Sequence, residues 1–443
     1  MSASSGGRAL VAGGGIGGLA AASALAHAGW QVTLAERRPA FAAESAENAA
    51  GSGIPSAGLP TVTLGAGIQI SPNASRCLAA IGALEEVAAM SFRPGAAVLR
   101  EGRTGRVVYR AALGDAAEAR WGAPYLHVHR ADLVAALANA ACRAGVSMRA
   151  GHTVADVAEG STIRARVEID RAHSETVEAD LLVIADGLGS RLRAALFGEA
   201  PRRFTGQTAW RAVLPAEVLP AAGRMAPDAT VWAAPGRHLV TYYLRGGTLL
   251  NLVAVEEASR WEGESWSAEG DPARLRSAFD DMHPSVRALL GAVEAPRLWG
   301  LFERPMPRRW HTGRAVLLGD AVHAMLPFMA QGAAMALEDA VVLARTVGAP
   351  AGVSPDLAPA LEAYEATRRP RVERVMRTSR DNGALFHRGP GFRRLFDHAL
   401  IGTVSRLAPG LAAGRLDWLY GFDATAKGTG NGYGSTARAG RRP

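Results

Sequence analysis

The sequence is poor in cysteine, with only Cys77 and Cys142 among its 443 residues. Two cysteines are too few for a disulfide framework, and these two lack the spacing of a zinc knuckle or of a redox-active pair. We therefore expect no bound metal and a reducing compartment, the cytoplasm.

Long apolar runs are also missing. No stretch approaches about 18 consecutive apolar residues, the least that would suggest a membrane span. The apolar run near the N-terminus contains five glycines by Gly18, and no convincing signal-peptide cleavage site follows it. The sequence predicts neither membrane insertion nor export.

Acidic residues are fewer than basic ones, which gives a net charge of +8. Half of this excess lies in residues 424–443, where Lys427, Arg438, Arg441 and Arg442 have no acidic partner. That segment is rich in Gly, Ser and Thr and cannot bury enough apolar surface to fold, so we predict a disordered basic tail. Because the charge is not on a patterned face of the body, we expect no nucleic-acid partner.

The rest of the sequence has the composition of a globular protein, with 48% hydrophobic and 20% charged residues. The N-terminal segment is typical of a strand, a glycine turn, a helix and a second strand. Four extended stretches around Trp210, Trp232, Tyr242 and Leu252 are separated by Pro-Gly and Gly-Gly turns, which predicts an antiparallel sheet. A buried strand at 315–318 then returns the chain to the first domain.

These patterns predict an α/β fold in which a Rossmann-like nucleotide-binding domain carries an inserted antiparallel β-sheet domain and a C-terminal helical segment. We predict the nucleotide-binding domain at 1–185 and 290–349, the inserted substrate domain mainly at 186–289, and the helical segment at 350–423, with a kink or break at Pro370. Residues 41–62 have no apolar period and are interpreted as an insertion or flap.

The glycines at 13, 15 and 18 follow the first strand and open the first helix. Such spacing permits a tight turn, close approach of the backbone to a pyrophosphate, and helix packing, and the helix N-terminus offers free N–H groups. Glu36 ends the next strand, 18 residues after Gly18, where a carboxylate binds ribose hydroxyls. The pattern predicts a dinucleotide site without separating FAD from NAD.

Two aspartates, Asp186 and Asp320, each follow a buried strand and have a glycine beside them. Ligands of open α/β sheets bind at this edge, and glycine admits close approach of the backbone. A ligand role is favoured for both, although structural aspartates also occur at strand ends.

Several motifs occur in an order that resembles the single-component (class A) FAD-dependent aromatic hydroxylases, a family that includes salicylate and 3-hydroxybenzoate hydroxylases and 6-hydroxynicotinate 3-monooxygenase. The resemblance spans residues 8 to about 423. It is carried by VAGGGIGGLAAASAL near the N-terminus, GAGIQISPNA at 65–74, HRADL at 129–133, ADGLGSRLR at 185–193, GDAVHAMLPFMAQGAAMALEDA at 319–340, and WLYGFD at 418–423.

The resemblance implies an enzyme with FAD as cofactor and NADH or NADPH as transient co-substrate. It implies that Arg130 lies near the flavin, that Asp186 and Gly187 serve the pyrophosphate, and that Asp320 binds the ribityl chain. The helix after Gly332 would point its N-terminus at the flavin pyrimidine. The full set of expected cofactor-binding residues is Gly13, Gly15, Gly18, Glu36, Arg37, Arg130, Asp186, Gly187, Asp320, Pro327, Gln331 and Gly332.

The expected reaction is hydroxylation by O2, through a flavin hydroperoxide, of a small phenolic or N-heteroaromatic carboxylate. His238 and Tyr242 are an even number of residues apart on a strand and share a face, and the family has such a pair in its substrate site. Histidine suits the base that removes a phenolic proton, although it could equally be a satisfied strand histidine. Arg211 and Arg245 are candidate carboxylate clamps or solvated strand arginines.

Pro327 and Phe328 lie where the resemblance places the reactive edge of the flavin, and Phe328 is a candidate substrate contact. Related sequences are polar at these positions. This favours one alternative, a tailoring oxygenase of the same fold that acts on a larger aromatic natural product. A remote alternative is a non-catalytic flavin- or nucleic-acid-binding protein. As partners we expect only the aromatic substrate and O2, with a monomeric or homodimeric protein.

Overall fold

A computed structural model describes residues 6–39, 67–169, 172–261, 267–350, 356–407 and 409–426. The predicted flap at 41–62 and the tail from residue 427 onward lie outside this description. The predicted tail begins too early, because Ala424 is buried and its carbonyl accepts a hydrogen bond of 3.0 Å from Arg345. Residues 424–426 therefore belong to the folded part of the chain.

The described chain forms strands and helices in the following order. The strands are β1 Arg8–Ala12, β2 Gln31–Glu36, β3 Gly67–Ile70, β4 Ala96–Glu101, β5 Val107–Ala112, β6 Leu126–His129, β7 Ser147–Ala150, β8 Thr153–Glu159, β9 Ile163–Glu168, β10 Ser174–Ala179, β11 Leu181–Ile184, β12 Arg203–Pro215, β13 Ala229–Ala234, β14 Arg237–Leu244, β15 Leu249–Glu257, β16 Ser267–Glu269, β17 Arg297–Glu303, β18 His311–Thr312 and β19 Ala315–Leu317. The helices are α1 Ile16–His27, α2 Pro72–Ala80, α3 Leu84–Ala89, α4 Asp115–Trp121, α5 Arg130–Arg143, α6 Arg191–Phe197, α7 Pro272–Ala278, α8 Pro284–Gly291, α9 Asp320–His323, α10 Gly332–Val347, α11 Ala358–Phe386, α12 Phe392–Leu407, α13 Pro409–Gly414 and α14 Asp417–Tyr420.

The first sheet has the order β18-β19-β11-β1-β2-β7, in which every pair except β18–β19 is parallel. Its central strands β1 and β11 are apolar and buried except at Arg8. Helix α1 packs on β1, β2 and β11, and β10 and β8 of a three-stranded sheet (order β10-β9-β8) contact β1 and β2, so the parallel sheet is covered as such sheets require. Helix α1 packs against α5 and α10 over this sheet. The carboxyl ends of β1, β11 and β19 therefore lie side by side at one edge.

The second sheet has eight strands in the order β16-β17-β12-β15-β14-β13-β4-β5. Its pairs are antiparallel except for β13 with β4. Side chains alternate between faces. One face, with Trp210, Leu239 and Leu252, packs on α7 and α8 in a separate core. The opposite face, with His238 and Tyr242, is turned toward the first sheet.

Sheet membership corrects the predicted domain boundaries. Strands β4 and β5, and also β17, belong to the eight-stranded sheet, although the sequence assigned residues 1–185 and 290–349 to the nucleotide-binding domain. Local alternation identifies a strand but does not specify which sheet receives it, because pairing partners are set by tertiary contacts. The chain thus enters the second sheet before residue 186 and leaves it after residue 289.

Two local predictions also differ. Helix α11 runs through Pro370 for 29 residues without ending, because it packs along α10 and this contact outweighs the local disruption. Asp132 is of a residue type that predicts a helix cap, but α5 begins at Arg130 and is capped by the His129 side chain, which accepts from the Ala131 N–H at 3.3 Å.

Among the residues described, no helix is long and apolar enough to cross a membrane.

Candidate active site

The glycine turn after β1 combines two crowded positions with one open position. Gly13 has φ +106°, and a Cβ there would lie 2.6 Å from the Ala185 carbonyl oxygen. A Cβ on Gly18 would lie 1.8 Å from the Gly13 oxygen, whereas a Cβ on Gly15 would meet nothing within 4 Å. Gly13 and Gly18 are therefore required by the fold itself. The space beside Gly15 is open for a ligand.

The N-terminus of α1 opens into the same space. Gly15 occupies its N-cap and no side chain caps the helix. The free N–H groups and the positive end of the helix dipole suit an anion. The structure thus gives the three predicted glycines distinct positions around one cradle.

Acidic side chains from two strand ends border this cradle. Glu36, at the end of β2, accepts a hydrogen bond of 2.5 Å from the Gly14 N–H. Burial raises the pKa of Asp186, while Ser190 and Arg37 act to lower it. Gly187 follows with φ +82° and open space beside it. Glu36 and Arg37 therefore lie near Asp186, although Asp186 is far from both in sequence.

The turn after β19 lies at the same edge of the sheet as the ends of β2 and β11. Gly319 adopts φ +63°, and its N–H donates to Asp339 at 3.1 Å. The buried ring of His323 bonds to the same carboxylate oxygen at 2.6 Å, so His323 fixes the turn. Asp320, in contrast, is exposed at the start of α9. Its carboxylate faces solvent at the sheet edge where ligands bind.

The N-terminus of α10 contains Gln331 and Gly332, two of the residues expected to bind the flavin. No side chain caps α10, because the buried amide of Gln331 is held elsewhere. It donates to Ser71 at 3.0 Å and accepts from Asn73 at 3.3 Å. Gly332 has open space where a Cβ would lie. Backbone amides are therefore free to meet an anionic ring edge.

These positions fit FAD. Two uncapped helix N-termini, α1 and α10, offer backbone amides, and an open space beside Gly15 would receive a pyrophosphate. A carboxylate lies at the end of each of β2 and β11, and Asp320 follows β19. Free backbone amides suit the phosphates of a dinucleotide, and carboxylates at the strand ends suit its hydroxyl groups. Both kinds of group lie along the sheet edge where dinucleotides bind.

The inner face of the eight-stranded sheet forms the opposite wall of the candidate site. Its side chains lie in rows that are set by the register of the strands. His238 pairs with Val255, and Val255 with Ala209. Arg211 lies in the next row with Val253 and Val240, and Tyr242 follows opposite Asn251. Burial raises the pKa of Tyr242, which hydrogen-bonds Asn251. The predicted pair thus does share one face.

Arg211 is the cation on this wall. Its Nε is buried and finds no hydrogen-bond partner in the described part of the chain. The guanidinium lies over the Trp299 ring, 5.0 Å from its centre. Burial lowers the pKa of Arg211, the Tyr242 hydroxyl acts to raise it, and Arg130 acts to lower it further. Two guanidinium groups therefore influence each other here.

Arg245 does not form part of this cluster as a free cation. Its Nε and Nη2 each donate to Asp132 at 2.8 Å. Its backbone has φ +46°, an uncommon conformation that the bidentate pair stabilises. The predicted carboxylate clamp is therefore reduced to Arg211, because the protein's own carboxylate already satisfies Arg245.

His238 is almost fully buried, with 1% exposure. Its ring lies 5.3 Å from the ring of Phe328 and 5.2 Å from that of Phe386. Pro327 is exposed beside Phe328, and Ser379 of α11 holds the same loop through the Leu326 carbonyl at 2.8 Å. Phe328 thus contacts the candidate base directly.

Three residues of this region were not predicted. Asn251 binds Tyr242, the His127 ring lies 4.7 Å from the Tyr242 ring, and His387 bonds to His238. Burial lowers the pKa of His127 to about 3. His127 stands two residues before His129 of the HRADL motif, a signal that could have indicated it. His387 has no such signal, because its partner is 149 residues away.

Comparisons with known proteins agree with this site. The family model described as "FAD binding domain" matches residues 66–379, and "NAD(P)-binding Rossmann-like domain" matches residues 11–80. A 3-amino-4-hydroxybenzoate 2-monooxygenase of Streptomyces platensis is 36% identical over 95% of this chain and 98% of its own. A 6-hydroxynicotinate 3-monooxygenase of Bordetella bronchiseptica is 37% identical over 85% of this chain and 91% of its own.

A solved salicylate hydroxylase–substrate complex has a TM-score of 0.75 and 25% identity, and the match covers 95% of this chain and 96% of that one. The resemblance inferred from the motifs is thereby confirmed, and so is the α/β fold with a Rossmann-like region. The non-catalytic alternative is not supported. The chain belongs to the FAD binding domain family and is an FAD-dependent flavoprotein monooxygenase of the aromatic hydroxylase type.

Proposed function

We propose that the enzyme uses NAD(P)H and O2 to hydroxylate a small phenolic or N-heteroaromatic carboxylate, of the salicylate or hydroxynicotinate kind. The observation that carries this proposal is the buried Nε of Arg211, which lacks a partner among the described residues and lies beside Tyr242 and Arg130. A half-buried guanidinium whose Nε is buried and unsatisfied favours an anionic ligand that completes its hydrogen bonds.

The register of the wall supports a substrate with one ring. Arg211 lies one row along the sheet and two strands across from His238, so their backbones are about 12 Å apart at 3.3–3.4 Å per residue and 4.7–4.9 Å between strands. Both side chains are on the same face, which suits a six-membered ring between them with its carboxylate toward Arg211 and its hydroxyl toward His238. The apolar side chains of Val253, Val255 and Phe328 line the same region and suit the ring faces.

The residues have separate roles in this proposal. FAD, when bound by the glycine turn, Asp186, Asp320 and the α10 N-terminus, supplies the hydride acceptor and the oxygen chemistry. Arg211 orients the carboxylate, and Tyr242 positions the ring. His238 accepts the phenolic proton, which makes the ring more electron-rich. The relatives named for hydroxybenzoate and hydroxynicotinate substrates support this class.

The substrate class is tested by substrate-stimulated NADH and NADPH oxidation and by product analysis. The panel is 3-amino-4-hydroxybenzoate, 3-hydroxybenzoate, salicylate, 6-hydroxynicotinate, their amides, and larger phenols. We expect at least one small acid to stimulate oxidation and to be hydroxylated. Stimulation by larger phenols alone would reject this class in favour of a tailoring oxygenase.

Replacing His238 with Ala is expected to lower the hydroxylation rate roughly 100-fold or more, the usual contribution of a general base. Reduction of the flavin by NAD(P)H should change far less. Burial, and to a smaller extent His387, lower the pKa of His238 well below 6.5. The neutral base is thus present at pH 7, and the acid limb of kcat/KM should lie below pH 6.5 and vanish in the variant.

This prediction is checked by stopped-flow flavin reduction and by the ratio of product formed to NAD(P)H consumed. Unchanged coupling in His238→Ala would contradict the role of His238 as base.

Replacing Arg211 with Met is expected to raise KM for a carboxylate substrate roughly 10- to 100-fold, because charge-assisted hydrogen bonds contribute about 1.5–3 kcal/mol. The matched amide lacks the negative charge and should show little change. Steady-state kinetics with both compounds provide the measurement. Equal losses for acid and amide would show that Arg211 supports the wall and does not bind the carboxylate.

The remaining partners are part of the same proposal. We propose that the enzyme acts as a monomer or homodimer, without a nucleic-acid partner, in the cytoplasm. The support for a reducing compartment is that Cys77 and Cys142 are both free thiols.

A further inference from the structure

A hydrogen-bonded chain of three side chains joins the buried His238 to the protein surface. Nδ1 of His238 lies 2.7 Å from Nε2 of His387. Nδ1 of His387 lies 3.3 Å from Oε1 of Glu257. The two bonds use opposite nitrogens of the His387 ring, which is the geometry required to pass a proton through an imidazole.

Backbone contacts hold the three residues in place. His387 caps the end of α11, and its N–H donates to Gly383 at 3.1 Å. Its carbonyl accepts from Gly236 at 2.9 Å, and the Gly236 carbonyl accepts from Glu257 at 3.0 Å. The turn between β13 and β14 therefore ties the helix end to the end of β15. These backbone hydrogen bonds fix the positions of the residues that form both side-chain hydrogen bonds.

The solvent exposure of the side chains increases along the hydrogen-bonded series from His238 to Glu257. The side chain of His387 is 3% exposed, and that of Glu257 is 61% exposed. Glu257 also lines a solvent-open cavity of about 380 Å³, together with Gln207 and Ser259. The far end of the chain is thus in contact with bulk water, while His238 is closed off from it.

The carboxylate determines where the protons lie. An ionised carboxylate only accepts hydrogen bonds, so the Nδ1 of His387 must carry the proton that bonds to Glu257. In a neutral ring, Nε2 of His387 is then an acceptor, and Nδ1 of His238 must donate to it. This leaves a lone pair on Nε2 of His238, which makes no hydrogen bond within the described part of the chain.

The charge state of the rings is consistent with this arrangement. Burial lowers the pKa of His387, although Glu257 acts to raise it, and the pKa of His238 is also lowered. A pair of neutral rings with alternating donors and acceptors is suited to proton transfer, whereas an ion pair would require a charged ring.

We propose that Glu257 and His387 set the tautomer of His238 so that Nε2 acts as the base, and that they conduct the substrate proton to solvent. The inference rests on the role proposed above for His238. The phenolic proton moves to Nε2 of His238 while the proton on Nδ1 moves to Nε2 of His387. The Nδ1 proton of His387 then moves to Glu257, which releases it to water, so one proton enters and one leaves.

Glu257→Gln tests this directly, because the side chain is exposed and the change is isosteric, so the fold should be retained. The amide can donate to Nδ1 of His387, which permits the opposite tautomers and places a proton on Nε2 of His238. Glu269→Gln is the matched control. Glu269 is 92% exposed on β16 of the same sheet and is not part of the hydrogen-bonded series His238–His387–Glu257.

The first readout is nitrogen NMR of ¹⁵N-histidine in the FAD-loaded enzyme without substrate. We expect His238 to carry its proton on Nδ1 in the wild type and in Glu269→Gln, and to shift it toward Nε2 in Glu257→Gln. A proton on Nε2 of His238 in the wild type, or identical histidine spectra in Glu257→Gln and the wild type, would overturn the proposal.

The second readout is the rate at which a pH-indicator dye reports proton release when 3-amino-4-hydroxybenzoate is mixed with the oxidised enzyme. We expect at least a tenfold slower release in Glu257→Gln and in His387→Phe, with the KM little changed in Glu257→Gln. An unchanged release rate in both variants would reject the conduction step. If the wild type neither deprotonates nor hydroxylates any small acid, the proposed substrate class fails, whereas the NMR result still decides the tautomer.

Discussion

Replacing Arg368 with Met is expected to destabilise the enzyme by about 3–5 kcal/mol, because removing one partner of a buried ion pair leaves uncompensated charge behind. Arg368 is fully buried on α11, and its guanidinium binds Glu338 and Asp339 on α10, with Nε 2.7 Å from Asp339. Both carboxylates are also fully buried. One guanidinium and two carboxylates are thus fully buried in contact with one another.

The same carboxylates support the loops that we propose to face the flavin. Glu338 accepts from Asn73 at 2.7 Å and from Arg371 at 2.7 Å, and Asn73 in turn donates to Gln331. Asp339 holds His323 and the Gly319 turn. We therefore expect Arg368→Met to weaken FAD binding as well as the fold.

The melting temperature provides the measurement. A loss of this size should lower it by about 3–6 °C, because the entropy of unfolding is about 2.1 cal/mol/K per residue. Arg377→Met is the matched control, because Arg377 lies on the same helix, is 64% exposed and makes one ion pair at 4.0 Å, which contributes about 0–1 kcal/mol. If Arg368→Met does not fold, Arg368→Lys, which keeps the charge, should fold with a smaller loss. Equal melting temperatures for Arg368→Met and Arg377→Met would contradict the argument.

The loss should also depend on pH. Burial alone would raise the pKa of Glu338 and of Asp339, but neighbouring groups (Arg371 and Arg368 for the first, the hydrogen-bonded His323 and Arg368 for the second) lower both below their usual values. Groups with lowered pKa stabilise the folded state above their unfolded pKa, near 4, and this stability is lost as the pH falls through the folded pKa. Removing Arg368 takes away one of the groups that lower each pKa, so both pKa values rise. The melting-temperature difference between variant and wild type should therefore be larger at pH 7 than at pH 5.

The predicted flavin-binding edge could be drawn from the sequence because its determinants are local. The three glycines, Glu36 and the residue after each buried strand stand at fixed offsets from elements that can be identified by period. The structure brings Glu36 and Asp186 together at the same edge, as parallel strands require. A short motif, a strand and a helix start are enough to predict such a site.

The substrate side was harder because its determinants are partners distant in sequence. Alternation predicted that His238 and Tyr242 share a face, but not that His387, at the end of α11, would bond to His238. Arg211 and Arg245 look equivalent as strand arginines, and only the tertiary contact with Asp132 separates them. The same limit applies to β4, whose alternation is local but whose pairing with β13 joins segments more than 100 residues apart, and to β5, which enters the sheet by pairing with β4.

Replacing Gly15 with Ala is expected to weaken FAD binding about 10- to 100-fold while leaving the fold intact. A Cβ at this position meets no protein atom within 4 Å, and φ of −75° is allowed for alanine. The added methyl group would instead occupy the space in which a pyrophosphate approaches the backbone. Overpacking of this kind costs about 1–3 kcal/mol, and each 1.4 kcal/mol corresponds to about tenfold in affinity.

The measurement is a fluorescence titration of the apoprotein with FAD, together with its melting temperature. Gly291→Ala is the matched control, because a Cβ there also meets nothing within 4 Å but Gly291 ends α8, far from the cradle in sequence and fold. It should bind FAD like the wild type. Wild-type affinity in Gly15→Ala would show that the open space is not the pyrophosphate site.

Gly18→Ala separates the two roles that glycine has in this turn. Its Cβ would lie 1.8 Å from the Gly13 carbonyl oxygen, which is backbone and cannot move aside without shifting β1 or α1. We therefore expect Gly18→Ala to lower the melting temperature of the apoprotein, which Gly15→Ala should leave unchanged. If both variants lost only FAD affinity, the contact between Gly18 and Gly13 would not limit the fold. The cradle is thus built by Gly13 and Gly18, whereas Gly15 leaves room for the ligand.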